Sequence, residues 1–120
     1  MSKAIKRDEF LENYQNIDVE IGVNSVIATC DSQTVNSGPL DRAAVLIKDN
    51  IEAIGLPGSA GSLALSDSPA KRDAKLVSNL RNAGADIVGA TNLSEWANLR
   101  SGKSTSGWSA VGGLTNNPWR

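Results

Sequence analysis

Lys48 closes the apolar run Ala43-Ala44-Val45-Leu46-Ile47 and precedes Asp49 and Asn50. Open α/β sheets place ligand-binding groups at the carboxyl ends of their strands. A lysine drawn out of water there has its ammonium form disfavoured, so it can act as a general base. The plain alternative is a lysine reaching into solvent from a strand end, with Asp49 and Asn50 turning the chain. The immediate neighbours leave both readings open. Other chemistry is narrower. The 120 residues contain no histidine, which excludes Ser-His-Asp and Cys-His catalysis and any histidine-ligated metal within them. A base must therefore be lysine or a carboxylate. The single cysteine, Cys30, cannot form an internal disulfide, so the default compartment is the cytoplasm.

Two other patterns imitate reactive sites. Ser68-Pro69-Ala70-Lys71 has the Ser-x-x-Lys spacing in which a lysine activates a serine. Ser68 also suits a helix N-cap and Pro69 a first helical position, and capping is the better account. Gly102-Lys103-Ser104 resembles the end of a phosphate-binding loop, but the required first glycine would fall at Ala97 and no strand precedes it. Trp96, Trp108 and Trp119 could stack on bases only beside a basic groove, and 12 Lys plus Arg against 13 Asp plus Glu supply none. They are expected to be hydrophobic anchors pinning a long loop. The net charge of -1 also argues against nucleic acid or an anionic membrane as partner. No apolar stretch is long enough for a membrane span, and Met1–Arg7 leads into no signal core.

The elements that must position Lys48 read as α/β. A helix is expected around Arg7–Gln15 and a β-branched strand over Val23–Cys30. Asp31–Leu40, rich in Ser, Asn and Gly-Pro, is a connection. The Ala43–Ile47 run, apolar on both faces, reads as a central strand. Residues 55–68 are small and Gly-rich, with Leu63 and Leu65 as anchors. Ser68 and Pro69 open a helix that Gly84 closes, with Ala74, Leu76, Val77, Leu80 and Ala83 on its apolar stripe. Ala85–Ala90 is a second buried strand, completing a strand–helix–strand crossover. Thr91 or Asn92 could cap a short helix over Leu93–Ala97. Asn98–Pro118 lacks periodicity, and long loops of this kind are usually functional.

The order of motifs then adds what no single one carries. Gly38-Pro39-Leu40 precedes Val45-Leu46-Ile47-Lys48-Asp49-Asn50-Ile51 and Ala60-Gly61-Ser62. Asp73-Ala74-Lys75-Leu76-Val77, Leu80-Arg81-Asn82-Ala83-Gly84-Ala85, Thr91-Asn92-Leu93-Ser94-Glu95-Trp96-Ala97 and Asn117-Pro118-Trp119 follow. From about Asn24 to Arg120 this resembles the amidase signature family. That family includes peptide amidases, fatty-acid amide hydrolase and the A subunit of the glutamyl-tRNA amidotransferase.

The resemblance implies an N-terminal fragment of the amidase signature fold, a mixed, largely parallel sheet covered by helices on both faces. Residues 1–120 would be the first part of one such domain. It implies Lys48 as the base of a Ser-cisSer-Lys triad that hydrolyses carboxamide C–N bonds through an acyl-enzyme, with no metal or other cofactor. Ala97, Asn98, Leu99 and Arg100 would contact a small-molecule or peptide amide. The family carries its cis serine in a Gly-Ser-Ser-Gly-type segment after Asn-Pro-Trp, and its nucleophile further on. None of the 14 serines here stands in either motif. The chain alone is therefore expected to be inactive. It would be a truncated front end, or one half of a split enzyme completed by a missing C-terminal half. A non-catalytic α/β interaction module is the remaining reading.

Overall fold

The computed structural model describes residues 3–31, 33 and 36–119. Ser32, Thr34 and Val35 of the Asp31–Leu40 connection lie outside the described residues, as do Met1, Ser2 and Arg120. Helix α1 runs over Arg7–Asn13 and continues as a π-helical turn over Tyr14–Val19, further than the expected Gln15. Phe10 is buried and stacks on Tyr14, with ring centroids 6.2 Å apart, as side chains four apart on a helix can. The π turn is held to the following strand by the buried Asp18. Its carboxylate accepts the backbone N–H of Ser25 at 2.7 Å and of Val26 at 2.9 Å.

Strand β1 is Val26–Thr29, β2 is Ala44–Lys48, and β3 is Asp86–Thr91. Their order is β1-β3-β2, with β1 antiparallel and β2 parallel to β3. The sheet is thus mixed, and among the described residues one of its two pairings is parallel. The Ala43–Ile47 run is not the central strand. β3 takes that place, buried continuously from Asp86 to Ala90, while β2 is an edge with only Ile47 and the following Asp49 fully covered. Gly89 permits the close β1 approach, because a Cβ there would stand 2.4 Å from the Ala28 carbonyl oxygen.

Helix α2 covers Lys75–Asn82, and its start corrects the expectation at Ser68 and Pro69. The backbone ahead of it is already committed elsewhere. Ala70 N–H donates to the Leu56 carbonyl at 3.2 Å and Ala74 N–H to that of Glu52 at 2.8 Å, so 70–74 lies along 52–56 and cannot coil. Asp73 accepts the Ile54 N–H at 2.8 Å and the Arg81 Nε at 3.0 Å, bracing the first turn from outside. The end at Gly84 is as expected. Gly84 has φ +89°, Ala85 N–H reaches the Leu80 carbonyl and Gly84 N–H that of Arg81, both at 3.0 Å. This is the paired closure that glycine allows after a helix.

Ile47, Ala53, Leu56, Val77, Ile87 and Ala90 form the core under this crossover. Leu63 and Leu65 are exposed instead of anchoring their loop; the turns over 62–68 leave them outside, and Ala53 and Leu56 fill the core from the preceding segment. The long C-terminal segment is not structureless. Strands β4 (Trp108–Ser109) and β5 (Gly113–Leu114) make a short antiparallel hairpin. Its pins are polar, not indole. Trp119 is 92% exposed and Trp108 44%, which overturns their expected role as anchors.

Candidate active site

Lys48 is the last residue of β2 and is exposed between two buried neighbours, Ile47 and Asp49, as strand alternation requires. It faces an open cleft of about 400 Å³ shared with Asn92, Ser94, Ala97, Asn98 and Thr115. Among the described residues its ammonium group makes no ion pair. Of the predicted site residues, Lys48, Ala97 and Asn98 therefore share one cleft. Leu99 is 87% exposed outside it, and Arg100 lines a neighbouring groove with Trp96 and Trp108. The exposure of Lys48 differs from the withdrawal from water that the strand-end argument anticipated.

The wall opposite Lys48 is not the short helix expected over Leu93–Ala97. Glu95–Asn98 makes a tight turn in which Trp96, Ala97 and Asn98 have φ of 51°, 51° and 63°. Left-handed backbone in three consecutive L-residues persists only where the surroundings over-determine it. The ties are on both sides. Trp96 N–H donates to the Ala60 carbonyl at 3.0 Å, Ser94 Oγ accepts the Gly107 N–H at 2.8 Å, and Glu95 Oε2 accepts the Ala110 N–H at 3.0 Å.

Two polar side chains organise the cleft, and neither was singled out from sequence as doing so. Asn92 Nδ2 donates to the carbonyls of Asn24 and Gly113 and to Thr115 Oγ1, at 3.0–3.1 Å. Its Oδ1 accepts the Leu93 N–H at 2.9 Å and the Ser109 hydroxyl at 2.7 Å. One amide thus joins the start of β1, the end of β3 and the hairpin. Asp49, 1% exposed, accepts the Ser59 hydroxyl and the Gly61 N–H (3.0 Å) on Oδ2, while its buried Oδ1 has no partner among the described residues. The available signal was an acidic residue directly after an apolar run and ahead of a Gly-Ser loop, a place where a charge must find donors.

The two imitations separate from this cleft. Ser68 and Lys71 are both exposed, and Gly102-Lys103-Ser104 is an exposed turn in which Ser104 Oγ donates to the Ser101 carbonyl at 2.6 Å. Among the described residues no three His, Cys, Asp or Glu side chains are grouped to hold a metal ion, and no helix is long and apolar enough to cross a membrane.

A mixed α/β unit with a cleft at the carboxyl end of its parallel strands, where β2 delivers a lysine, defines the class: an α/β protein with a strand-end site. The comparisons narrow it. The Amidase family model matches residues 25–120, and the chain belongs to that family. It is 38% identical over 112 residues to the A subunit of the glutamyl-tRNA(Gln) amidotransferase from Methanosarcina acetivorans, covering 93% of this chain and 20% of that one. Among solved structures it matches the native peptide amidase from Stenotrophomonas maltophilia with TM-score 0.78 and 37% identity, over 95% of this chain and 26% of that one. An amidase family protein from Bacillus anthracis aligns with TM-score 0.78 and 30% identity, over 92% of this chain and 25% of that one. The chain spans only 13–22% of the length of the curated relatives it matches, and corresponds to their N-terminal portion. The fold is therefore the opening part of the amidase signature fold.

Proposed function

We propose that residues 1–120 are the lysine-bearing front of an amidase that hydrolyses carboxamide C–N bonds, with Lys48 as the general base. The observation that carries this reading is Lys48 at the end of β2, in one cleft with Ala97 and Asn98, within a chain that matches the Amidase family. In the mechanism that the family resemblance implies, neutral Lys48 accepts a proton relayed through a cis serine from a nucleophilic serine. The serine oxygen attacks the amide carbonyl, the C–N bond breaks, and the departing nitrogen receives the proton. Water then attacks the ester, delivering its proton back through the serines, and releases the acid. Both serines come from polypeptide outside these 120 residues, in the same chain or in a second one. The 120 residues alone do not turn over an amide.

The substrate is a small-molecule or peptide amide, with Ala97 and Asn98 as its first contacts and Leu99 and Arg100 meeting it only when further chain closes over them. A peptide amide is favoured by the likeness to the Stenotrophomonas maltophilia peptide amidase. Lys48 leaves water when that further chain covers the cleft, which supplies the desolvation a lysine base needs. A single free, half-buried cysteine suits a cytoplasmic setting.

The test is ammonia release from a peptide amide. The purified 120-residue chain should give none. Co-expression with the remaining portion of an amidase domain should restore it, and Lys48→Ala should remove it again. Turnover by the isolated chain that vanishes with Lys48→Ala would overturn the requirement for outside serines.

A further inference from the structure

We infer that Asp49 is the positioning residue that sets the distance between the Lys48 strand end and the opposite wall of the cleft. The inference rests on the amidase reading above for its catalytic consequence, but the clamp itself stands on geometry. A buried carboxylate is costly unless donors meet it, so its partners mark what the fold gains by keeping it. Asp49 works at three points. Its N–H donates to the Thr91 carbonyl at 3.2 Å, continuing the β2–β3 ladder one step past Lys48 and stopping the strand end from fraying. Its own carbonyl accepts the Ala60 N–H at 2.9 Å, and its Oδ2 accepts Gly61 N–H and Ser59 Oγ, so the 59–61 loop is gripped by main chain and side chain together. The Ala60 carbonyl in turn takes the Trp96 N–H, which opens the left-handed turn carrying Ala97 and Asn98.

An unbroken path of hydrogen bonds thus runs from the residue beside the base, through Ala60, to the wall that faces the base. Gly61 closes the packing on the far side: a Cβ there would stand 2.6 Å from that of Ser109, and Val111 N–H donates to the Gly61 carbonyl. The carboxylate directs its two bonds to the loop and none to the adjacent ammonium. That suits a lysine required to lose its proton, since an ion pair would hold the charged form.

The experiment compares Asp49→Ala, Asp49→Asn and Ser59→Ala with Lys48→Ala in the complete amidase, or in the complex of this chain with the remaining portion. The readouts are kcat, KM and amide exchange at Trp96. Misplacing a reacting group by about 1 Å costs roughly a hundredfold in rate, so Asp49→Ala should lower kcat by about that factor with KM little changed. Trp96 N–H exchange should rise while that of Ala85, at the far helix end, holds. Asp49→Asn keeps an acceptor for Gly61 and Ser59 and should recover most of both losses. Ser59→Ala removes one donor and should fall between, which keeps the inference testable if Asp49→Ala does not fold. Unchanged kcat in folded Asp49 and Ser59 variants overturns the positioning role, as does equal loss of protection at Trp96 and Ala85. Full turnover by Lys48→Ala overturns the amidase reading instead, and leaves the exchange result to decide the clamp.

Discussion

Arg7 grips Asp86 with both arms of its guanidinium, Nε to Oδ2 at 2.8 Å and Nη2 to Oδ1 at 2.5 Å. The same group donates to the Cys30 carbonyl at 2.6 Å and to that of Ile87 at 2.8 Å, so one side chain from α1 ties β3 to the residue that follows β1. Both partners are largely buried, and the carboxylate raises the guanidinium pKa further above its ordinary value.

Removing one member of a buried pair strands the other, at a cost of roughly 3–5 kcal/mol. Arg7→Ala should therefore lower the free energy of unfolding in urea by that much. Arg7→Lys should recover little, because an ammonium cannot reproduce the planar fork.

Lys48→Ala should behave in the opposite sense. The side chain is exposed and makes no ion pair among the described residues, so the change in stability should stay within about 0.5 kcal/mol while turnover of the assembled amidase is lost. Equal losses in both measurements would make Lys48 structural.

Cys30 carries a pH dependence. Burial pushes its thiol pKa up, more than the nearby Arg7 and Arg81 charges pull it down. The folded state thus holds this proton more tightly than the unfolded one. Its contribution is complete below the ordinary thiol pKa and is lost as pH rises through the raised value. Thermal midpoints should fall across that alkaline window, with a shallower fall in Cys30→Ala. Alkylation by iodoacetamide should need higher pH than for a free thiol.

Gly61→Ala should be destabilising on two grounds, φ of +73° and the clash with Ser109. Strain in the left-handed region and forced overpacking each cost roughly 1–3 kcal/mol. Chemical denaturation of the variant beside Gly58→Ala separates them, because Gly58 has a similar φ of +62° but only an ordinary neighbour at 3.7 Å.

Local sequence was most readable where one residue's chemistry decides the outcome. Gly84 ended α2 because few residues besides glycine close a helix that way, and the apolar runs marked β2 and β3 because both needed cover. What was missed was decided by distant partners. Ser68-Pro69 looks like a helix start, yet the N–H groups of Ala70 and Ala74 are taken by the carbonyls of Leu56 and Glu52, well back along the chain. Order within the sheet was equally hidden: an apolar run did not say which strand is central, and β2, with Ala44, Val45 and Leu46 only half-buried, is an edge. At the cleft, motif order brought Lys48 forward, whereas Asp49 and Asn92 act through donors and acceptors that become neighbours only after folding. The tryptophans misled for a related reason. Aromatic size predicts burial when a whole domain is present, and Trp108 and Trp119 stand in a chain matching about a quarter of its solved relatives.

The turn at Trp96–Asn98 makes chirality itself an experimental variable. Its φ angles are those that a D-amino acid adopts at rest, whereas an L-residue there gives up roughly 1–2 kcal/mol. A semisynthetic protein with D-alanine at position 97 would keep the backbone course of the cleft wall, its methyl group and α-hydrogen exchanged, with the stereochemical penalty removed at that position. The mirror-image residue should be the more stable one, which is the reverse of its effect in either helix.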